Sequence, residues 1–533
     1  MKQIVRWVRN SESPWRTMCG FFVALALTGG TAAAQDARAV IQAAAKNMGA
    51  DTLKCVTYSG IGYVGLVGQN RDIRDDWPRI EMASYTRSVN YDAMSYQEER
   101  VIRQGKYPTQ GGGGMPIQGE QKQVFMVSGK FAWNMAGTTV NPAPAAADVR
   151  HIDILMTPHG FLKGAMAPGA NPVLITRYES GALGGLSSTA QRKVNIISFV
   201  ALGKYRLNGT INDQNLLERV QTLVPNPVRG DMNYETEYSN WKDLPGGVKF
   251  PVGWHHHDDW DDETQPPNYN GGHNGFGGTF DKVEVNACGA ALTVPEAVQK
   301  ATIPPVRVES QKLADGIFYL AGGSHHSVAV DFRDFVVLVE SPQNEQRALA
   351  VIAEVHRLFP NKPIRYVVSS HHHFDHLGGL RTAFHEGATI VAHATNRDFY
   401  KQEVLTYAPR TLEPDLLSKH PPTEFAEGYQ FETVDIKHTL SDGTRNLDLY
   451  YVQGSPHAEG MLMAYLPKEK ILIEADVFTP PAQGTAPPAT PSAASLNLYN
   501  NVKAYKLDVS TIAPLHGRVV PWGDFLKFVA KTE

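Results

Sequence analysis

The sequence predicts an α/β domain in the C-terminal part of the chain, preceded by a mainly antiparallel β domain. Residues 56–285 contain short runs of β-branched and aromatic side chains separated by Gly, Pro and Asn clusters, which is typical of antiparallel sheets. After residue 305, apolar strand-like runs alternate with a helical pattern, which is typical of an α/β domain. The length of 533 residues agrees, because it corresponds to two or three domains of about 150 residues.

The composition excludes several classes of protein. With 42% hydrophobic residues, the chain is globular and not disordered. The 50 Lys and Arg residues against 54 Asp and Glu residues leave a net charge of −4, so no basic field exists to bind a nucleic acid. We therefore expect a small-molecule substrate as the partner. The three cysteines are too few for a cysteine-based metal site or a disulfide-rich scaffold.

Residues 1–34 are predicted to be an export signal. Basic residues precede a short apolar run at 21–27, and three alanines at 32–34 offer a cleavage site. Neither this run nor any later one reaches the roughly 20 apolar residues that span a bilayer, so no transmembrane segment is expected after cleavage. The predicted location is periplasmic or secreted. In that oxidising compartment Cys55 and Cys288 could form a disulfide, although their spacing does not show whether they come within reach.

The N-terminal domain is predicted over residues 35–300. Residues 36–48 have the pattern of an amphipathic helix, and β-type runs follow it. The segment His255-His256-His257-Asp258-Asp259 lies in a very polar stretch, and we interpret it as a solvated loop and not as a metal site. A helix followed by an antiparallel sheet resembles the layout of periplasmic lipoprotein-carrier domains. That resemblance implies that the sheet could hold a lipid or another hydrophobic ligand.

The C-terminal domain is predicted over residues 306–533, after a linker near residues 302–305. Its predicted helix covers residues 344–359, where four apolar side chains share one face. The predicted strands cover 335–340, 364–369 and 388–392, and a hairpin covers 461–466 and 471–474.

A cluster of metal-ligating side chains follows the strand predicted at 364–369. It consists of His371, His372, His373, Phe374, Asp375 and His376. In an extended chain, alternation puts His371 and His373 on one side, where both can bind one ion. Asp375 and His376 then turn toward a second ion. Imidazole and carboxylate ligands suit Zn²⁺, with Mn²⁺ or Fe as competitors.

Three distant residues have the same placement as this cluster. His457, Asp476 and His516 each come at the end of an apolar run. Open α/β folds place their sites at the ends of strands, so we expect these side chains to meet the histidine cluster.

The seven ligand-type residues, in this order, resemble those of the metallo-β-lactamase fold superfamily, and the resemblance extends over residues 306–533. It implies an αββα sandwich and two divalent metal ions, with zinc expected. It assigns one ion to His371, His373 and His457, and the other to Asp375, His376 and His516, with Asp476 bridging both. A hydroxide bridging the ions would be the nucleophile, and Asp375 would be the catalytic residue that orients it.

The remaining histidines and one loop complete the expectations for this site. His372 and Phe374 should point away from the metals, and His393 is interpreted as a surface or core residue. His325 and His326 could rim the pocket, but we favour their interpretation as an ordinary loop pair. The Pro- and Ala-rich segment 479–495 lies between two expected ligands. We therefore expect part of it to cover the site and to help select the substrate.

The substrate is narrowed only to a chemical class. Asp476 stands where true β-lactamases of the superfamily usually carry Cys or Ser, and Thr479 stands where lactonases acting on acyl-homoserine lactones carry Tyr. The predicted function is an exported dinuclear metallohydrolase acting on an ester, lactone, amide or related small molecule. Two alternatives stay open. One is an iron-dependent oxidoreductase of the persulfide dioxygenase type on the same fold, and the other is a protein that binds a lipid or another hydrophobic ligand.

Overall fold

A computed structural model describes residues 26–180, 191–259, 274–405, 410–421 and 431–531. Most of the predicted export signal, residues 1–25, lies outside this range. The first helix, α1 (Ala26–Met48), begins earlier than the predicted residue 36, since the alanines at 32–34 favour helix. None of the helices in the described part of the chain is long and apolar enough to cross a membrane.

The N-terminal part forms one antiparallel sheet of thirteen strands within the described residues. The strands are β1 (Cys55–Gly65), β2 (Arg79–Asn90), β3 (Ser95–Arg103), β4 (Gln121–Ser128), β5 (Phe131–Ala136), β6 (Thr139–Pro142), β7 (Val173–Ser180), β8 (Gln191–Ala201), β9 (Tyr205–Ile211), β10 (Leu217–Asn226), β11 (Gly230–Leu244), β12 (Val248–Asp258) and β13 (Asn274–Val285).

The order of the strands places the first and the last strand side by side. The sheet runs β6-β5-β4-β3-β2-β1-β13-β12-β11-β10-β9-β8-β7. The chain therefore builds outward from β1 to one edge and returns from the opposite edge to β13. Helices α2 (Ala147–Met156) and α3 (Pro158–Met166) form the connection between the two edges.

Helices α1 and α3 cover one face of this sheet and form its core. Ile41 of α1 and Phe161 of α3 are fully buried, as are Tyr58 and Phe250 of the sheet. Aromatic rings fill the space between them, and the Tyr58 and Trp254 ring centres lie 4.9 Å apart.

Cys55 and Cys288 form a disulfide that joins the two central strands of the sheet. Their Cα atoms lie 5.6 Å apart, because β1 and β13 pair directly, with Val56 opposite Val285. Strand pairing thus supplies the proximity that the spacing of 233 residues did not reveal.

The polar segment 255–259 was predicted to be a loop, and this prediction was wrong. Residues 255–258 belong to β12, which pairs with β11 and β13. Their polarity is matched across the sheet, since the Thr236 hydroxyl lies 2.8 Å from His256 Nδ1. Cross-strand polar partners allow a strand here that polarity alone argued against.

The C-terminal part contains two further sheets. Their strands are β14 (Glu309–Ala314), β15 (Ile317–Ala321), β16 (Ser327–Asp331), β17 (Val336–Val339), β18 (Ile364–Val368), β19 (Thr389–His393) and β20 (Phe431–Val434), then β21 (Lys437–Ser441), β22 (Asn446–Tyr451), β23 (Leu462–Leu466), β24 (Ile471–Glu474), β25 (Thr511–Pro514) and β26 (Val520–Pro521). The remaining helices are α4 (Glu296–Gln299), α5 (Glu345–Leu358), α6 (Phe374–Leu377), α7 (Leu380–His385), α8 (Arg397–Phe399), α9 (Leu416–Lys419), α10 (Ala493–Ala504) and α11 (Trp522–Phe528), and a π-helical turn follows α8 over Tyr400–Val404.

These elements form four layers, as the predicted αββα sandwich requires. In β17, Val337 and Val339 pack against the other sheet, whereas Val336 and Leu338 pack against helices including α5. The second sheet is covered in the same way by α10 and α11. The predicted α/β fold class is therefore confirmed. Helix α5 and the hairpin of β23 and β24 lie close to their predicted bounds, because apolar periodicity identifies buried elements well.

Replacing both Cys55 and Cys288 by Ser should destabilise the N-terminal sheet by about 2–4 kcal/mol, since the crosslink restricts a very long loop in the unfolded chain. The measurement is urea unfolding followed by tryptophan fluorescence, with the wild-type protein in reducing buffer as the control. Identical unfolding midpoints for the oxidised wild type and the double variant would show that the crosslink adds no stability.

Candidate metal centre

The histidine cluster begins where a buried parallel strand ends. Strand β18 stops at Val368, residues 369–373 have no regular structure, and the short helix α6 begins at Phe374. This geometry lets three histidine side chains turn inward from one short segment. These three residues are buried, with at most 1% of their surface exposed: His371, His373 and His376.

A first group of ligand atoms gathers around His371. Among the described residues, His371, His373, His457 and Asp476 each offer one such atom, all within 4.8 Å of one another. His371 Nε2 lies 2.9 Å from His373 Nδ1 and 3.3 Å from His457 Nε2. Nitrogens bound to one tetrahedral Zn²⁺ at about 2.0–2.1 Å stand about 3.3 Å apart, so these side chains fit that ion.

A second group lies on the other side of Asp476. It consists of His325, His376 and His516, and the Nε2 atoms of His376 and His516 lie 3.2 Å apart. Asp476 Oδ1 is 2.8 Å from His516 Nε2, while Asp476 Oδ2 is 3.0 Å from His457 Nε2. The two oxygens of one carboxylate thus face the two groups separately.

Asp476 holds this position with an uncommon backbone conformation. It lies two residues after the end of β24 and has φ of 62°, in the left-handed region where Asp is one of the better tolerated residues. Such conformations cluster at functional sites.

Hydrogen bonds on the outer side of the rings fix which nitrogen faces inward. Three of these rings have an oxygen acceptor at the outer nitrogen: the Ser370 hydroxyl for His371 (2.9 Å), Glu340 for His376 (3.1 Å) and the Ser324 carbonyl for His516 (2.9 Å). A proton on each outer nitrogen leaves the inner Nε2 with a lone pair. That is the usual arrangement of a metal-binding histidine.

The electrostatics of the site favour a cation. Burial lowers the pKa of His371 and His373 well below the ordinary value, so these rings are neutral. Burial also opposes a charge on His376, yet Asp476 and Glu340 raise its pKa well above the ordinary value. Burial would raise the pKa of Asp476, but the neighbouring His376 and His457 hold it well below its usual range. A buried environment that stabilises a proton also stabilises a divalent cation.

Asp375 and His325 depart from their expected positions. Asp375 was expected beside His376 and His516, but it falls in neither group. Its Oδ2 lies 3.1 Å from His325 Nε2 and its Oδ1 accepts a hydrogen bond from Gln69. The interpretation of His325 as an ordinary loop residue was wrong, since its ring centre is 4.2 Å from that of His516.

The other histidines near the motif serve packing and hydrogen bonding. His372 turns away and its Nε2 donates to the Asn70 carbonyl at 2.8 Å, while burial lowers its pKa to about 4. Phe374 packs against Trp77, with ring centres 5.5 Å apart. The His326 ring packs against Tyr319. His393 is buried, and its Nε2 donates a hydrogen bond to the Asp435 carbonyl. These placements agree with the expectations for His372, Phe374 and His393.

Sequence reasoning missed Glu340 and the contribution of the N-terminal domain. Glu340 is fully buried at the end of β17, where its Oε2 accepts hydrogen bonds from Ser370 and His376. The sequence did contain a signal for Glu340, because this acidic residue ends the apolar run FVVLVE at residues 335–340. Gln69 and Asn70 gave no signal, because they are polar residues about 300 positions from their partners.

A cavity of about 820 Å³ opens onto His457 and Asp476. Part of its wall comes from the segment predicted to cover the site, including Pro481, Thr485, Ala486 and Pro488. The opposite part comes from the N-terminal domain, including Met115 and Pro116. Both domains therefore shape the space next to the candidate centre.

The comparison with known families confirms the resemblance of the C-terminal domain. The sequence model described as "Metallo-beta-lactamase superfamily" matches residues 320–516. This match supports a metal-dependent hydrolase-type function. No curated protein matches the sequence.

Solved metallo-β-lactamase structures are similar to this chain at low identity. One from Pontibacter korlensis is 17% identical, with 42% of this chain and 98% of that chain covered and a TM-score of 0.32. One from Hirschia baltica is 21% identical, with 42% and 96% covered and a TM-score of 0.30. A mono-zinc form from Pseudomonas aeruginosa is 18% identical, with 43% and 96% covered and a TM-score of 0.32.

Replacing Glu340 by Gln should weaken metal binding about 10–100-fold, because the ring of His376 loses its charged acceptor while the side-chain shape is kept. Competition with a chromophoric chelator measures the affinity. The matched control is Glu98→Gln, which changes a buried, hydrogen-bonded Glu of the N-terminal sheet. Wild-type affinity in Glu340→Gln would contradict the role assigned to Glu340.

Proposed function

We propose that this protein is an exported, dinuclear, zinc-dependent hydrolase of neutral esters, lactones, amides or related small molecules. One observation carries the proposal: Asp476 lies between two groups of inward-facing imidazoles, with one carboxylate oxygen directed to each. A carboxylate shared by two sets of imidazole ligands is suited to two divalent cations.

The residues divide into two ligand sets. His371, His373 and His457 would hold one ion, and His376 and His516 the other, with Asp476 contacting both. Asp375 lies beside the second set, where its hydrogen bonds from His325 and Gln69 fix the carboxylate. We retain Asp375 as a ligand of the second ion and as the acceptor that orients the attacking water.

Two divalent ions held by these residues would lower the pKa of a water molecule and would offset negative charge that develops on the substrate. The protein contributes fixed ligand directions, through the outer hydrogen bonds to Ser370, Glu340 and Ser324. It also keeps the centre largely shielded from bulk water, since His371, His373 and His376 are buried. Low polarity around the site strengthens every charge interaction there.

Imidazole and carboxylate ligands favour zinc, and iron is the competing metal. Iron would point to the oxidoreductase alternative, so the identity of the bound metal decides between the two reactions.

The lipid-binding alternative has less support, because the 360 Å³ cavity inside the N-terminal sheet is lined by charged side chains such as Arg87, Glu98 and Asp153.

The cavity beside the centre supports a neutral substrate. Its described lining is mainly Pro, Ala, Thr and Ser with Met115 and Phe478, and contains no Lys or Arg. A phosphate or sulfate ester there would have only the proposed metal ions, and no Lys or Arg side chain, to offset its charge. Neutral esters, lactones and amides with an apolar body fit this lining better.

Export is proposed from the signal-like residues 1–34 and is supported by the Cys55–Cys288 disulfide, since structural disulfides persist mainly in oxidising compartments. The proposed location is the periplasm or the external medium.

The combined variant His371→Ala, His373→Ala should lose bound metal and hydrolytic activity together, because it removes two nitrogens of one ligand set. Metal content is measured by elemental analysis, and activity with a panel of β-lactam, lactone, aryl ester, thioester, phosphodiester and sulfate substrates. The matched control is His255→Ala, His257→Ala in β12, a pair with the same spacing outside the site. Wild-type hydrolysis by the 371/373 variant would sink the proposal, as would a wild-type protein with no bound metal.

Deleting residues 483–491 should change the ratio of kcat/KM between small and bulky esters by about tenfold or more, because loop atoms lining the cavity are lost. Metal content should stay unchanged, since the expected ligands lie outside the deletion. An unaltered substrate profile would mean that this segment is only a passive part of the surface.

A further inference from the structure

The segment 66–77 of the N-terminal domain lies directly on the candidate metal centre. This segment, which connects β1 to β2, is called here the docking segment. We propose that its residues Gln69 and Asn70 are positioning residues for the metal ligands, so that the centre is complete only when the N-terminal domain is docked. This inference rests on the proposed function, because it assigns these residues to the same metal centre.

The Asn70 carbonyl orients His373. It accepts a hydrogen bond from His373 Nε2 at 2.9 Å and another from His372 Nε2 at 2.8 Å. With its proton on Nε2, the His373 ring directs the Nδ1 lone pair toward His371 Nε2, 2.9 Å away. The acceptor that fixes a ligand ring of the C-terminal domain therefore comes from the N-terminal domain.

Gln69 holds Asp375 from the side opposite His325. Its Nε2 donates to Asp375 Oδ1 at 2.8 Å, while His325 Nε2 lies 3.1 Å from Oδ2. Both oxygens are thus held, which fixes the plane of the carboxylate. The amide donor does this without adding a positive charge next to the expected cation.

The docking segment is anchored to two of the three loops that carry ligands of the first group, the loop with the histidine cluster and the loop with His457. The Phe374 amide donates to the Gly68 carbonyl at 3.2 Å, next to the histidine cluster. Arg71 pairs with Glu459 at 2.9 Å and donates to the Ser455 carbonyl at 3.2 Å, on either side of His457. These contacts fix the segment relative to the ligands and not merely relative to the domain surface.

Two glycines permit this close approach. Gly68 has φ of 71°, and a Cβ there would lie 2.2 Å from the Phe374 side chain. A Cβ on Gly112, whose amide donates to the Gln69 carbonyl, would lie 2.7 Å from His373 Cε1. The backbone of the N-terminal domain therefore packs directly against the His373 ring.

The test compares Gln69→Ala and Gln69→Met with the wild type in the full chain. Methionine keeps most of the side-chain volume but removes the amide donor, so it separates the hydrogen bond from packing. Gln221→Ala is the matched control, a half-buried Gln that is hydrogen-bonded within the N-terminal sheet. The readouts are zinc affinity and stoichiometry by chelator competition, and the visible absorption of the cobalt-substituted protein.

Both Gln69 variants should bind one of two zinc ions about 10–100-fold more weakly and alter the cobalt spectrum, while Gln221→Ala matches the wild type. Gly112→Ala should also weaken binding, because its new methyl group meets the Gln69 side chain and the His373 ring, whereas Gly289→Ala, with open space around it, should not. Wild-type affinity and spectrum in Gln69→Ala and Gln69→Met would overturn the inference. If the wild type binds zinc and hydrolyses its substrate while the Gln69 variants are unaffected, only this inference fails and the proposed function stands. A wild-type protein that binds no metal would overturn both this inference and the proposed function.

Discussion

The carboxylate of Asp476 is the group on which the rest of the site depends. It lies between two groups of imidazoles and directs one oxygen to each, with closest nitrogen distances of 2.8 and 3.0 Å. A buried carboxylate is costly unless opposite charge or hydrogen bonds compensate for it. The surrounding rings supply this compensation only because the strands carrying them end at one edge of the two packed sheets. The αββα packing therefore brings together the groups that offset the free-energy cost of burying this carboxylate.

A further layer of hydrogen bonds gives the rings their direction. Glu340, the Ser370 hydroxyl and the Asn70 carbonyl each face the outer nitrogen of a different histidine. Without these acceptors the rings could rotate or exchange tautomers, and their lone pairs would no longer converge. This layer is built from three different parts of the chain, including the N-terminal domain. Accordingly, one of the acceptors that face the candidate ligands comes from the N-terminal part of the chain.

Sequence could predict the elements with strong periodicity and the site residues with distinctive chemistry. Helix α5 has an apolar residue at every third or fourth position along one face. The His371–His376 segment directly follows an apolar strand. Sequence could not predict the roles of Asn70, which acts through its backbone carbonyl, or of Gln69, whose partner lies 306 residues away. The strand at His255–Asp258 was missed for a related reason. Its polar side chains are satisfied by cross-strand neighbours that local pattern does not reveal.

The close contact between the domains also bears on what the N-terminal sheet is for. A separate binding module would need only a flexible connection to the hydrolase domain, whereas Gly68 and Gly112 bring backbone against Phe374 and His373. The same domain supplies Met115 and Pro116 to the cavity beside Asp476. One sheet, whose two central strands are linked near their ends by the Cys55–Cys288 bond, thus carries both the docking segment and a wall of the cavity beside Asp476. The fold therefore couples the wall of this cavity to the geometry of the candidate ligands, since a shift of the sheet would displace both together.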